Sequence, residues 1–193
     1  MKHLLLINGS ASHASSNERI IRWLGNQLAG EFEVTLLGDL KVLPHFDPDL
    51  SSGRPPESIV NFRAQIEAAD GVIICAPEYV FSIPAGLKNA LEWCVATTVF
   101  TDKPVGLITA AASGTEAHEQ LQRIMHTIMA NFNTNTTLLI QGIKGKFNTE
   151  GQISDPTLIC QLIAFKDAFV ALCNPRQNMF KESPNRGGKC ADE

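Results

Sequence analysis

Three stretches of the chain, residues 3–8, 72–76 and 105–109, are apolar almost without interruption, and each closes on small or polar residues. Such short continuous runs predict strands buried on both faces of a parallel sheet. Weaker strands are expected at 34–37 and 137–140. Between them the apolar positions recur at helical spacing: Ile20, Leu24 and Leu28, then Ile59, Phe62 and Ile66, then Leu87, Ala90 and Leu91, then Leu121, Ile124, Met125, Ile128 and Met129. A last helix is predicted from an Asp155 cap with Pro156 in its first turn to about Cys173. Five strands alternating with five helices through short connections require right-handed crossovers, and hence a doubly wound α/β sheet with helices on both faces. In the common strand order 2-1-3-4-5 the chain reverses direction between strands 1 and 3, and ligands bind in the crevice left there.

Length and composition narrow this picture. The 193 residues suffice for one domain, read as 1–173, while Pro, Asn, Gly and charge dominate 174–193 and predict a loose tail. A formal net charge of −4 with no basic block argues against nucleic acid and anionic membranes, which are held by clustered Lys and Arg. No cleavage-site pattern follows the first apolar run, and no segment is read as approaching the roughly 20 apolar residues of a membrane span. A cytoplasmic protein is expected. The five cysteines, Cys75, Cys94, Cys160, Cys173 and Cys190, lack the close pairs of a zinc or redox site, so no metal is expected.

The chemistry is concentrated in the loops after strands 1, 3 and 4. The first contains Gly9, Ser10, Ser12, His13, Ser15, Ser16 and Asn17 and runs straight into a helix. Gly9 permits a close turn, the hydroxyls donate, and the amides of a helix start add about half a positive charge, so the loop can cradle a phosphate. Ser15 and Glu18 also have the spacing of a capping box that requires no ligand. Neither a G-x-G-x-x-G fingerprint nor a Gly-Lys-Ser/Thr P-loop is present, which favours a mononucleotide. After strand 3, Pro77 ends the strand, Ser82 is a candidate cap, and Tyr79 and Phe81 remain in the loop. These aromatics either face a flat ligand or fold onto the core or a partner subunit, Phe81 being the better candidate for folding away. In the following helix Lys88 and Glu92 are spaced as an i,i+4 pair. After strand 4, Ser113 and Glu116 again have cap spacing beside Gly114, and that helix N-terminus, aimed at a ring carbonyl, would favour developing negative charge.

Four segments in order resemble the NAD(P)H-dependent FMN reductase family, a flavodoxin-like group that includes quinone, azo-dye and chromate reductases. They are 9–17, Leu43-Pro44-His45-Phe46-Asp47-Pro48-Asp49, 77–93 and Ser113-Gly114. The resemblance implies a five-stranded flavodoxin-like sheet and an FMN cofactor whose phosphate meets Ser10, Ser15 and Asn17, with Ser12 and Ser16 in the same loop. It further implies that Pro77, Glu78, Tyr79, Val80 and Phe81 form the wall beside the ring, with Ser113 and Gly114 near its polar end. Three positions depart from the family pattern, one of them Thr115, which stands where a second glycine is usual. Ser12 stands where an arginine is usual, which removes a charge-assisted contact worth on the order of 1.5 to 3 kcal/mol unless His13, Arg19 or a partner compensates. Val80 stands where an asparagine is usual.

The implied activity is transfer of electrons from NADPH or NADH to a small-molecule acceptor such as a quinone, flavin, azo compound or metal oxyanion, in ping-pong order. The cofactor carries that chemistry, so no acid-base residue is nominated. The rival reading is a flavin-binding or redox-sensing protein without efficient reductase activity, motivated by the departures at Ser12 and Val80. Cys75 is read as a buried thiol rather than a redox group, and His45 and His118 as surface or supporting residues. The family's usual homodimer or homotetramer is also expected, with Phe81 and Trp93 as contact candidates.

Overall fold

The computed structural model describes residues 1–175. Five parallel strands, β1 (Lys2–Asn8), β2 (Phe32–Leu36), β3 (Gly71–Ala76), β4 (Val105–Ala110) and β5 (Thr137–Ile140), form one sheet in the order 2-1-3-4-5. The two central strands β3 and β4 are buried at every position, which is why they read as unbroken apolar runs. Leu6 of β1 pairs with Leu36 on one side and Ile73 on the other, so the carboxyl ends of β1, β3 and β4 come out side by side.

Each face of the sheet has its own core, because successive side chains along a strand point to opposite faces. Leu5, Ile7, Val72 and Ile74 pack with Phe62 and Ile66 of α3 (Glu57–Ala68), Leu87 and Leu91 of α4 (Ala85–Glu92), and Leu121 and Met125 of α5 (Thr115–Thr127). Leu4, Leu6, Ile73 and Ile108 pack with Ile20, Ile21 and Leu24 of α1 (Ser16–Leu28), and with Leu158, Phe165 and Phe169 of α6 (Pro156–Cys173). Gly106 in β4 lets α6 approach closely, since a Cβ there would lie 2.6 Å from the Phe165 ring.

Several local expectations are corrected. A sixth helix, α2 (Pro48–Ser52), interrupts the segment after β2; Asp47 caps it by accepting from the amides of Asp49 and Leu50. The periodic run through Ile128 and Met129 ends early, at Thr127. There Met129 takes a left-handed conformation (φ 61°), and the Met129 and Ala130 amides return to the carbonyls of His126 and Met125, closing a Schellman motif that sequences usually announce with glycine. Ser82 does not cap α4: its hydroxyl donates to Gln120 Oε1, and the helix starts after Pro84 without a side-chain cap. Trp93 is fully buried, donating from Nε1 to the Pro44 carbonyl and packing edge-on against Phe46, so it cannot meet a partner subunit. Helix α6 is long and apolar enough to cross a membrane by length and composition, with mean hydropathy 1.5. Its Thr, Gln, Lys and Asp positions masked that run, and one of its faces is a core stripe against the sheet. Most of the expected tail, from residue 176, lies outside the described residues.

Candidate functional site

At the carboxyl end of β1 the chain turns sharply toward β3. Gly9 donates its amide to the Cys75 carbonyl at 2.8 Å, and a Cβ on Gly9 would sit 2.8 Å from the Ala76 Cβ and 2.9 Å from Leu87. Only glycine allows this approach. The loop beyond is held by its own side chains: Asn8 accepts from the Ser10 amide and the Ser10 hydroxyl from the Ser12 amide. Ser15 caps α1 by accepting from the Glu18 amide, while the Glu18 carboxylate reaches back to Ala14 rather than to the Ser15 amide of a regular capping box. The amides of Ser16 and Asn17 in the first turn have no partner among the described residues. Unclaimed amides at the start of a 13-residue helix, next to the hydroxyls of Ser10, Ser12 and Ser15, form a donor set that suits a phosphate. By the chemistry of its donors the loop fits the phosphate of FMN.

Asn17 departs from its expected role. Its side chain is 3% exposed, the amide nitrogen donating to the Ala110 carbonyl at 3.1 Å and Oδ1 accepting from the Cys75 thiol at 3.3 Å. It ties α1 to the ends of β3 and β4, leaving only its backbone amide for an anion. Burial pushes the Cys75 thiol far up, away from thiolate chemistry.

The loop after β3 is a two-residue hairpin. Tyr79 and Ser82 exchange both backbone hydrogen bonds, at 2.9 and 3.1 Å, and the residues between them, Val80 and Phe81, have φ of 52° and 56°. Positive φ at both central positions is the signature of a type I′ turn, which favours asparagine and glycine and disfavours a β-branched side chain. The asparagine of the family pattern is therefore the residue the turn demands at position 80. Neither tip side chain folds onto the core: Val80 is 94% and Phe81 78% exposed. Val80→Asn should raise stability by about 1 kcal/mol, because the turn sheds strain and an exposed valine surrenders no burial. Urea unfolding with a midpoint equal to or below that of the parent would refute the strained turn.

Tyr79 turns the other way, over the phosphate loop, its hydroxyl lying 3.2 Å from the Ser10 hydroxyl and 3.5 Å from that of Ser12. Desolvation pushes the Tyr79 phenol up, but hydrogen bonds from Ser10, Ser12 and the Ala11 backbone together outweigh it and leave the phenol below its ordinary value. The hairpin is fastened to α5 at two points. The Glu78 carboxylate accepts from the Gly114 and Ala117 amides at 3.2 and 3.1 Å, and Gln120 Oε1 accepts from the Ile83 amide and the Ser82 hydroxyl at 2.9 and 2.7 Å.

Glu78 thus overturns the expected Ser113 cap. Gly114, at φ 89°, is the residue at the cap position, with no side-chain cap of its own from Ser113, and the carboxylate from the neighbouring loop supplies the acceptors. The positive end of α5, expected to face a ring carbonyl, is met by a full negative charge from within the chain. The sequence places Glu78 only in the wall beside the ring and carries no signal for Gln120. The predicted Lys88–Glu92 pair is present at 2.6 Å on the exposed face of α4. His45 is exposed; His118 is half-buried against the Thr109 hydroxyl at 3.0 Å, and burial lowers its pKa.

On its outer side the phosphate loop faces a cavity of about 320 Å³ lined by Ser10, Ser12, His13, Arg22, Asp39 and Lys41, among others. Lys41 reaches across from the segment after β2, its ammonium 3.2 Å from Asp39, 3.3 Å from His13 Nε2 and 3.4 Å from the Ala11 carbonyl. Arg19 points elsewhere, over the Phe147 ring at 5.7 Å, and so cannot compensate for the missing arginine.

Comparison with known proteins identifies the family. A family model described as NADPH-dependent FMN reductase matches residues 1–143. The NADH:(hydroxy)cinnamate reductase subunit CrdA of Vibrio ruber is 30% identical over 164 residues, covering 82% of this chain and 80% of that protein. An NADPH azoreductase of a Bacillus species is 30% identical over 134 residues, covering 68% and 71%. Among solved structures, the flavoenzyme NAD(P)H:(acceptor) oxidoreductase FerB from Paracoccus denitrificans superposes with a TM-score of 0.72 at 25% identity, covering 91% of this chain and 98% of that one. The chain belongs to the NADPH-dependent FMN reductase family, as an NAD(P)H-dependent oxidoreductase with FMN as its cofactor.

Proposed function

We propose that the chain reduces a small, flat electron acceptor such as a quinone or azo compound, in a site built from the loops 9–17, 77–82 and 113–114. FMN, when bound, supplies the two-electron chemistry linking NAD(P)H to the acceptor. The protein's share is orientation. Ser10, Ser12, Ser15 and the free amides of Ser16 and Asn17 hold the phosphate, and Pro77, Glu78 and Tyr79 line the ring. Ser113 and Gly114 close its polar end, while Val80 and Phe81 project beside the open face where an acceptor enters. The observation that carries this reading is the pair of unclaimed amides beside three hydroxyls at the crevice between β1 and β3. The names of the similar reductases support the acceptor class.

The test is spectroscopic. The purified protein supplied with FMN should show flavin absorption that bleaches anaerobically with NADPH or NADH and returns on adding a quinone. Absence of bleaching by either nucleotide would reject the reductase, and absence of a bound flavin spectrum in excess FMN would reject the site. The same reading includes a cytoplasmic homodimer or homotetramer that binds neither nucleic acid nor membrane. The exposed apolar hairpin tip supports the assembly, and sedimentation as a monomer at micromolar concentration would remove it.

A further inference from the structure

We propose that Lys41, lying beside His13, binds a phosphate monoester at the outer side of the loop 9–17, supplying the charge that Ser12 does not. The inference rests on the reductase reading above and adds to it a residue from a different segment of the chain.

Four observations converge on Lys41. It lines a cavity of about 320 Å³ together with the hydroxyl-bearing Ser10 and Ser12. Its position is built: Asp39 accepts from the Lys41 amide at 2.9 Å and pairs with its ammonium at 3.2 Å, so backbone and side chain are fixed by one carboxylate. Its other two contacts, to the Ala11 carbonyl and His13 Nε2, are 3.4 and 3.3 Å, at the long and weak end of the hydrogen-bond range. An ammonium with two weak contacts to the loop can exchange them for phosphate oxygens without leaving Asp39. The cavity's other strong cation, Arg22, is committed to Glu18 through contacts of 2.8 and 2.9 Å. Lys41 is therefore the cation of this cavity with weak contacts to exchange, and the His13 Nε2 that accepts from it is one of the two contacts given up.

Two ligands of a reductase carry a phosphate monoester, the 5′-phosphate of FMN and the 2′-phosphate of NADPH, and each has a partner lacking that group, riboflavin and NADH. The experiment uses Lys41→Gln, which keeps a donor for Ala11 and removes the charge, with Lys41→Arg as the charge-retaining control. Flavin fluorescence titration of the flavin-free protein gives the affinities for FMN and riboflavin, and NADPH and NADH are titrated by their own fluorescence on the FMN-loaded protein. Lys41→Gln should weaken one phosphate-bearing ligand on the order of tenfold, leave its phosphate-free counterpart within twofold, and flatten the salt dependence of the weakened ligand. A loss confined to FMN places its 5′-phosphate at Lys41; a loss confined to NADPH places the 2′-phosphate there. For the FMN case, Ser12→Arg introduced into the Lys41→Gln protein should recover the affinity. Unchanged affinity for both phosphate-bearing ligands, or equal weakening of riboflavin or NADH, overturns the proposal while leaving the reductase intact. Failure of the parent protein to bind any flavin overturns both.

Discussion

Gly9→Val is expected to weaken FMN binding by on the order of 10- to 100-fold, with the fold retained. A β-carbon at position 9 would lie 2.8 Å from Ala76 and 2.9 Å from Leu87, inside the distances real side chains tolerate, and valine adds two methyl groups to that clash. Ala76 is the end of β3 and cannot retreat, because it is fully buried and paired with Thr109 of β4. The loop must give instead, breaking the 2.8 Å bond from the Gly9 amide to Cys75 and moving Ser10 and the amides beyond it out of register. Overpacking of this kind costs about 1 to 3 kcal/mol. Loss of one or two charge-assisted contacts to the phosphate accounts for the drop in affinity. Equilibrium titration with FMN, beside a far-ultraviolet dichroism spectrum, checks it. Parent-like affinity would mean that the loop does not hold the phosphate.

Glu78→Ala is expected to have the second largest effect. The carboxylate accepts from two amides of the α5 start and joins loops that belong to different crossovers. Such bonds are worth up to about 3 kcal/mol each when buried, but Glu78 is only half-buried, and a combined loss of about 1 to 2 kcal/mol is the reasonable figure. For a domain of this size the melting temperature should fall by roughly 2 to 8 °C. The loosened wall should also let flavin escape faster. Glu78→Gln, which keeps one acceptor, should fall between. If the alanine variant melts with the parent and retains FMN equally well, Glu78 is not a clamp.

How much of this was legible beforehand depended on which force decided each feature. The central strands were readable because buried parallel strands need continuous apolar runs, and 72–76 and 105–109 have them; their order followed from the common doubly wound topology. Gly9 and the cap at Ser15 were readable because turns and caps are local chemistry. The side chain of Asn17 was not placed correctly because its neighbours in the sequence are hydroxyls, whereas its partners, Cys75 and Ala110, come from strands far along the chain. The cap at Ser113 was misread for the same reason: the spacing to Glu116 is a local signal, and Glu78 outcompetes it from another loop. Lys41 lies just before a recognisable segment, but nothing in its own surroundings announces a contact with residues 11 and 13. The left-handed conformations of Val80, Phe81 and Met129 could not be inferred either, since all three are residue types that ordinarily avoid it.

The double attachment of the hairpin to α5 has a mechanical consequence. Glu78 and Gln120 bind it to the same helix at points about one turn apart, Ala117 and Gln120, while Pro77 and Pro84 stiffen the chain where the loop leaves β3 and enters α4. Wall and helix are thereby coupled as one lever whose fulcrum is the end of β4. A shift of α5 by a given distance carries Val80 and Phe81 with it, so in the site proposed above the width of the acceptor's entrance follows the seating of a helix rather than the freedom of a loop.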